Sequence, residues 1–153
     1  MAKKAITQSK KVIYERIDSE LNQANQHRLR VGRSYSGLGL FARGPFKKGE
    51  RVVEYVGYKV PNKVVEDMKG DNKYLFDLNK THTIDGRPHF NLARWANHSC
   101  RPNAEANGIR GRIYLVALRS IQPGDEITWD YGKEYVDEHI GKGKCKCNSC
   151  RTA

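Results

Sequence analysis

The four cysteines of this chain have the number and spacing of a zinc site. Cys100 is internal, whereas Cys145, Cys147 and Cys150 lie close together near the end of the sequence. Four thiolates complete a tetrahedral zinc coordination shell. A metal held by all four would draw the C-terminal tail across the segment that contains Cys100. The sequence therefore predicts Zn²⁺ with these four residues as its ligands.

Disulfides and free thiols are the alternatives to zinc. The sequence begins with the polar stretch MAKKAITQSKK, which lacks the apolar segment of a secretory signal peptide. A single residue separates Cys145 from Cys147, and cysteines this close in sequence bridge poorly with each other. We therefore favour zinc over disulfides.

Length and composition limit the class of protein. The chain has 153 residues, of which 38% are hydrophobic and 29% are charged. This length supports one domain around a single core. Because no apolar run is long enough to span a bilayer, we expect an intracellular protein without membrane contact.

The formal net charge of +11 lies mostly at the two ends of the sequence. Residues 1–30 carry seven basic and three acidic side chains, and residues 141–153 carry four basic and no acidic ones. Residues 31–140, with 17 basic and 14 acidic side chains, add only +3. A zinc tetrathiolate would offset part of the tail's charge. The basic ends still allow contact with nucleic acid, so a basic nucleic-acid-associated protein is one alternative function.

Short strands are expected to position the cysteines, because the composition of several segments predicts a mainly β fold. Residues 51–58, 112–118 and 126–129 are rich in β-branched and aromatic side chains. Ser36-Gly-Leu-Gly39, Asn107-Gly108 and Gln122-Pro-Gly-Asp125 predict turns. Two short helices are expected, over residues 11–24 and residues 61–70.

Four motifs occur in an order that is typical of one family. They are Ser36-Gly-Leu-Gly-Leu-Phe-Ala42; Gly49-Glu50 with Glu54-Tyr-Val-Gly57; Asn91-Leu-Ala-Arg-Trp-Ala-Asn-His-Ser-Cys-Arg-Pro-Asn103; and Pro123-Gly-Asp-Glu-Ile-Thr-Trp-Asp-Tyr-Gly132. Together they resemble the SET domain, the fold of most protein-lysine methyltransferases. The chain resembles the compact, single-domain form found in bacteria, with a short post-SET cysteine tail.

The resemblance implies a β-clip-like fold of several small sheets. The chain around Asn97 and the segment 130–132 would form a C-terminal pseudoknot. The sequence would then divide into an N-terminal basic extension (1–27), a SET domain (28–132) and a zinc-binding post-SET tail (133–153).

The resemblance also implies methyl transfer from S-adenosylmethionine to the ε-amine of a protein lysine, with S-adenosylhomocysteine as product. The amine must be neutral, and because a free lysine has a pKa of about 10.4, the enzyme needs a dry channel that disfavours the ammonium. Tyr131 matches the family tyrosine where the lysine channel meets the methyl donor, so we assign it the catalytic role. It would align the reactants, and whether it also acts as a base stays open. The alternative is a buried strand tyrosine with a bonded hydroxyl.

Cofactor-binding residues follow from the same resemblance. They are Gly37, Leu38, Gly39, Tyr74, Arg94, Asn97, His98 and Tyr131. The glycines would let the backbone approach the cofactor closely at a turn. The alternatives are a plain turn for the glycines, a solvated side chain for Arg94, and core positions for Tyr74 and His98.

The lysine channel is expected to be lined by Tyr55, Trp129, Tyr131 and a residue of the tail. Relatives usually carry phenylalanine or tyrosine in place of Trp129, so the number of methyl groups added stays open. Tyr58 is a second departure, because relatives often have glutamate there, and the spacing before Cys150 is shorter than in many relatives.

The expected partner is a protein substrate with an exposed lysine, such as a histone tail or another basic protein. Such an enzyme would act in the cytoplasm if bacterial, or in the nucleus at chromatin if histones are its substrates. The alternative in a different class is a catalytically idle SET fold that binds a peptide or cofactor. Asn97, His98 and Tyr131 speak against that alternative, and the oligomeric state stays open.

Overall fold

The structure, a computed structural model, describes residues 14–68 and 70–152. Its strands are Glu15–Arg16 (β1), Leu29–Ser34 (β2), Gly37–Ala42 (β3), Arg51–Tyr55 (β4), Tyr58–Pro61 (β5), Leu75–Asp77 (β6), His82–Asp85 (β7), Asn97–His98 (β8), Ala104–Ile109 (β9), Arg112–Ala117 (β10) and Glu126–Trp129 (β11). Its α-helices are Glu20–Asn25 (α1), Asn62–Asp67 (α2), Lys133–Tyr135 (α3) and Asn148–Arg151 (α4). Two 3₁₀ helices, Gln26–Arg28 and Leu92–Trp95, and one π-helical turn, Val136–Gly141, complete the regular structure. The predicted mainly β fold is confirmed.

Three small sheets make up the fold, with strand orders β1-β5-β7-β6, β4-β10-β9 and β2-β3-β11-β8. In the third sheet β11 runs antiparallel to β3 but parallel to β8. The parallel pairing sets Thr128 opposite Asn97 and Trp129 opposite His98. As a result, the Asn-His-Ser-Cys motif lies beside the strand that leads into Tyr131.

A single hydrophobic core joins the sheets. Its largest fully buried apolar side chains are Phe46, Leu40, Ile84, Leu115, Ile121 and Ile127. Burial of each such side chain contributes about 1.5–3 kcal/mol. Glu54 is also 2% exposed, and its carboxylate accepts a 2.8 Å hydrogen bond from Arg112.

Part of the predicted N-terminal extension packs against the domain. Residues 1–13 lie outside the described residues. Beyond them, β1 pairs with β5, and the Asn22 side chain exchanges two hydrogen bonds with the backbone of Glu54. In the described part of the segment expected to be helical, 14–24, the helix begins only at Glu20, because Glu15 and Arg16 join a sheet and Ser19 caps the helix start. The domain boundaries at residues 27 and 132 stay predictions.

The structure corrects two of the predicted turns. The first hairpin turns at Tyr35-Ser36, and the glycines of Gly37–Gly39 lie in β3. Asn107-Gly108 lies inside β9, and the chain turns instead at Arg110-Gly111, where both residues have positive φ (49° and 73°). The predicted turn at Pro123-Gly124 is confirmed. None of the described helices has the length and apolar character needed to cross a membrane.

Candidate active site

Two cavities meet at Tyr131. The narrow one has a volume of about 210 Å³ and the wide one about 610 Å³. Five residues line both cavities: Lys73, Tyr74, Arg94, Tyr131 and Tyr135. A reactant in one cavity would therefore face a reactant in the other across the Tyr131 side chain.

Tyr131 is fixed at both its backbone and its hydroxyl. Its hydroxyl donates to the carbonyl of Ala96 over 2.5 Å, and its backbone N–H donates to Nδ1 of His98 over 3.2 Å. The rings of Trp129 and Tyr135 pack against it at 4.7 and 5.1 Å. Burial raises the pKa of Tyr131 well above its usual range, so the hydroxyl stays protonated at neutral pH.

Aromatic side chains form the walls of the narrow cavity. Phe76 stacks on Trp129 with ring centroids 5.6 Å apart, and Tyr55 packs on Phe76 at 5.1 Å. The Tyr55 hydroxyl donates to the Tyr74 carbonyl over 2.7 Å, and burial raises the pKa of Tyr55 above its usual range. The indole N–H of Trp129 is buried and has no hydrogen-bond acceptor among the described residues. The structure thus brings the three predicted channel residues together around one apolar space.

The wide cavity contains most of the predicted cofactor residues. Leu38, Tyr74, Arg94, Asn97, His98 and Tyr131 line it. Gly37 and Gly39 do not, and the expected turn is absent from their segment of β3. The segment still contacts the site, because Asn97 donates to the Leu38 carbonyl over 2.9 Å.

Gly39 is required for a structural reason that the sequence does not show. A Cβ atom at this position would overlap the carboxylate of Glu126. That carboxylate accepts hydrogen bonds from Asn97 (2.9 Å) and Ser34 (2.6 Å). The small residue therefore makes room for the group that orients Asn97.

Arg94 is a cation without an anionic partner among the described residues. Its guanidinium lies 4.3 Å from the Tyr74 ring centre and 4.4 Å from that of Trp95. Its Nε and one Nη are buried and unbonded, and the side chain lines both cavities. Because this positively charged side chain lines both cavities, it fits an anionic group of a ligand, such as the carboxylate of S-adenosylmethionine.

His98 connects Tyr131 to the cysteines. Because Nδ1 of His98 accepts the hydrogen bond from the Tyr131 N–H, the proton of the neutral ring is on Nε2. Nε2 lies 3.5 Å from Sγ of Cys100. Burial lowers the pKa of His98, and Asp130, 3.6 Å away, opposes this shift. A neutral imidazole can accept a hydrogen bond from Tyr131 on one side and donate one towards Cys100 on the other.

The four cysteines form one cluster, with all Sγ atoms within 4.8 Å of one another. Cys100 lies 3.6 Å from Cys150 and 3.9 Å from Cys145, sulfur to sulfur. Tetrahedral zinc with Zn–S bonds of about 2.3 Å places its sulfurs about 3.8 Å apart, whereas a disulfide bond is about 2.05 Å long. Burial alone would raise the pKa of Cys147, but backbone N–H groups of Cys100 and Cys150 help to lower it to about 6, which favours a thiolate. The cluster fits a zinc ion.

The tail that carries the cysteines also closes the wide cavity. Its lining residues there are His139, Ile140, Lys144, Cys145, Lys146 and Cys147. The sequence predicted a tail drawn towards the active site, and the structure places it there.

The sequence analysis did not predict several residues of the site, among them three at the junction or walls of the cavities. Phe76 and Tyr135 complete the aromatic walls, and Lys73 lines both cavities. Phe76 is two residues from Tyr74 and Tyr135 is four from Tyr131, so proximity to assigned residues was the available signal.

Comparison with known proteins agrees with this geometry. The SET domain profile matches residues 37–132. The chain is 31% identical to human histone-lysine N-methyltransferase 2D over 161 residues, 97% of the chain but 3% of that protein. It is 36% identical over 124 residues to the human "histone-lysine N-methyltransferase, H3 lysine-36 specific" (74% and 4%), and 31% identical over 137 residues to mes-4 of Caenorhabditis elegans (74% and 15%). The chain thus spans a small part of the curated relatives it matches. It belongs to the SET-domain family.

Proposed function

We propose that this protein is an S-adenosylmethionine-dependent protein-lysine N-methyltransferase with a structural zinc ion. The observation that carries the proposal is the meeting of a narrow, aromatic-walled cavity and a wide cavity lined by Arg94, Asn97 and His98 at Tyr131. A transferase of this kind needs separate approaches for donor and acceptor that converge on one point. The printed names of the relatives, which are histone-lysine methyltransferases, support the same activity.

The wide cavity would hold the donor. When bound, S-adenosylmethionine supplies an electrophilic methyl group on a sulfonium. Arg94 would place its positive charge beside the donor's carboxylate, and the Tyr74 and Trp95 rings hold the guanidinium at the cavity wall. Asn97, oriented by Glu126, and the backbone near Leu38 would hold the remainder.

The narrow cavity would hold the target lysine. Its alkyl chain would pack against Tyr55, Phe76 and Trp129, which exclude water. Desolvation disfavours the ammonium form, so the channel shifts the lysine towards the neutral amine that can attack a methyl group. The proton leaves to solvent before the amine is enclosed.

Tyr131 aligns the amine and does not take its proton. Its own pKa is raised by burial, so it holds its proton at neutral pH, and that proton is already donated to Ala96. The oxygen can still accept a hydrogen bond from the amine and fix the direction of its lone pair. Of the two roles that the sequence left open, we therefore propose alignment for Tyr131.

Zinc on Cys100, Cys145, Cys147 and Cys150 would act structurally. Four thiolates leave no open coordination position for a reactant, so the metal would fold the tail and take no part in the reaction. We infer from the relatives' names that the substrate is a histone or a similar basic protein, and that the enzyme then acts at chromatin.

A labelling experiment tests the proposal. The purified full chain is incubated with methyl-labelled S-adenosylmethionine and either core histones or a cell lysate, and peptide mapping locates the label. Label on lysine ε-amines, suppressed by excess S-adenosylhomocysteine, is the expected result. Binding of S-adenosylhomocysteine with no transfer to any protein would favour the idle binding module, and no binding at all would overturn the cofactor assignment.

A further inference from the structure

We propose that Tyr135 and His139 are positioning residues that fasten the segment after Tyr131 to residues 71–74 and thereby close the donor cavity. We call residues 133–141 the strap. The inference rests on the proposed function, because the cavity that the strap closes is the one assigned to the methyl donor.

The strap is bound at two points to the same loop. The Tyr135 hydroxyl donates to the carbonyl of Lys73, and Nδ1 of His139 lies 3.3 Å from Oδ1 of Asp71. The His139 ring packs on the Tyr135 ring with centroids 4.4 Å apart. Residues separated by four positions share one face of a helical turn, so both anchoring side chains point to the same neighbour.

The strap touches the reaction centre directly. The Tyr135 ring meets the Tyr131 ring edge-on at 5.1 Å. Tyr135 and Lys73 line both cavities, whereas His139 and Ile140 line only the wide one. The contact between the strap and the loop therefore forms part of the wall of both cavities. Release of the strap would open the donor cavity to solvent.

The chemistry of the two anchors favours a closed strap. Burial raises the pKa of Tyr135 to about 12, so its hydroxyl keeps the proton that it donates to Lys73. The His139 side chain is only 13% exposed, and the carboxylates of Asp71 and Glu138 lie within 4 Å of its two nitrogens. Of these two carboxylates, only that of Asp71 belongs to the loop, so the Asp71 contact is the one that joins His139 to it.

The strap also contains an internal control. Lys133 and Asp137 form a 2.6 Å ion pair along the same helical segment, but neither side chain lines a cavity. Asp137→Asn breaks an ion pair of the strap without touching the loop. His139→Gln and Asp71→Asn each break the contact to the loop, and Tyr135→Phe removes only the hydroxyl.

The test measures the Kd of S-adenosylhomocysteine by calorimetry, the KM for S-adenosylmethionine, kcat and Tm for each variant of the full chain. We expect His139→Gln, Asp71→Asn and Tyr135→Phe each to weaken binding about threefold to tenfold, the size of one hydrogen bond or partly exposed ion pair. KM should rise in parallel with Kd in these variants, whereas Asp137→Asn should leave both at the wild-type value. Asp71→Asn and His139→Gln remove the same contact. The double variant should therefore bind S-adenosylhomocysteine no more weakly than whichever of the two single variants has the higher Kd.

Three results would overturn the inference. One is a Kd in the three loop-contact variants equal to that of the wild type. Another is equal weakening by Asp137→Asn together with a matching fall in Tm, which would mean that the strap only stabilises the fold. The third is failure of the wild-type chain to bind S-adenosylhomocysteine, which would overturn the proposed function as well and is recognised before any variant is made.

Discussion

Nδ1 of His98 accepts the backbone N–H of Tyr131 over 3.2 Å, although the two residues belong to different strand regions. The Tyr131 hydroxyl also contacts the segment that contains His98, because it donates a hydrogen bond to the carbonyl of Ala96 over 2.5 Å. The parallel pairing of Trp129 with His98 sets the distance between the two segments. The position of the hydroxyl is therefore fixed by backbone packing, which suits a residue whose role is alignment.

Arg94→Lys should weaken binding of S-adenosylhomocysteine about tenfold or more, because a charge-assisted hydrogen bond contributes about 1.5–3 kcal/mol. Lysine keeps the charge but loses the guanidinium that lies against the Tyr74 and Trp95 rings and its additional N–H donors. Calorimetry measures the effect. Arg43→Lys, a change at an exposed arginine, is the matched control.

A second ligand makes the Arg94 test specific for the carboxylate. 5′-Methylthioadenosine keeps the adenosine and the sulfur but lacks the amino acid carboxylate. Its affinity should be the same for wild type and Arg94→Lys. If both ligands lose affinity equally, Arg94 supports the cavity wall and does not bind the carboxylate.

Cys147→Ser should remove zinc and lower stability. Cys147 is fully buried, and a structural zinc contributes directly to the free energy of folding. We expect one zinc per wild-type chain by elemental analysis, none in the variant, and a fall in Tm of about 5–10 °C, which corresponds to about 2–3 kcal/mol for a domain of this size. Ser149→Ala, in the same tail, should keep its zinc. Metal-free wild-type protein purified with zinc present would contradict the site.

Asp85 should make stability depend on pH in acid. Burial alone would raise its pKa, but hydrogen bonds from Arg87 and Asn72 outweigh this and hold the pKa of Asp85 below its usual range. A carboxyl with a lowered folded-state pKa contributes fully above its unfolded pKa of about 3.9 and loses that contribution as the pH falls through the folded value. Asp85→Asn should therefore cost about 1–2 kcal/mol at pH 7 and much less at pH 2.

Urea unfolding of wild type and Asp85→Asn across this pH range measures the difference. Asp18→Asn is the control, because Asp18 pairs with Arg16 on the surface and is 74% exposed. Its effect should be small at every pH. Parallel stability curves for wild type and Asp85→Asn would show that Asp85 has no linked proton uptake.

The cysteine cluster could be predicted from the number of cysteines, and Tyr131 from the resemblance of its motif to the SET domain. Four cysteines match the valence of a tetrahedral site, and Tyr131 lies within a long motif. The requirement for Gly39 could not be predicted, because the group that needs its space is the Glu126 carboxylate of another strand. Contacts of this kind depend on which strands pair in the sheet, and the sequence next to the residue does not indicate them.

The hairpin between β9 and β10 shows how packing overrides a local turn signal. Asn107-Gly108 is a strong turn dipeptide, yet the turn forms at Arg110-Gly111. The observed register pairs Leu115 with Ala106 and Ala117 with Ala104, and both β10 residues are buried. A turn at 107–108 would shift this register by six residues, so Leu115 and Ala117 would lose Ala106 and Ala104 as their partners.

The most direct test of the aligning role of Tyr131 compares methyl transfer by wild type and Tyr131→Phe at saturating S-adenosylmethionine, with the Kd of S-adenosylhomocysteine measured for both. If Tyr131 aligns the amine, kcat should fall about 100-fold, the size expected from misalignment of a bound reactant, with the Kd unchanged and Tm only slightly lowered by loss of the Ala96 hydrogen bond. The remaining activity should rise with pH as it does in the wild type, because Tyr131 takes no proton. Full turnover by Tyr131→Phe would contradict the central role given to this residue.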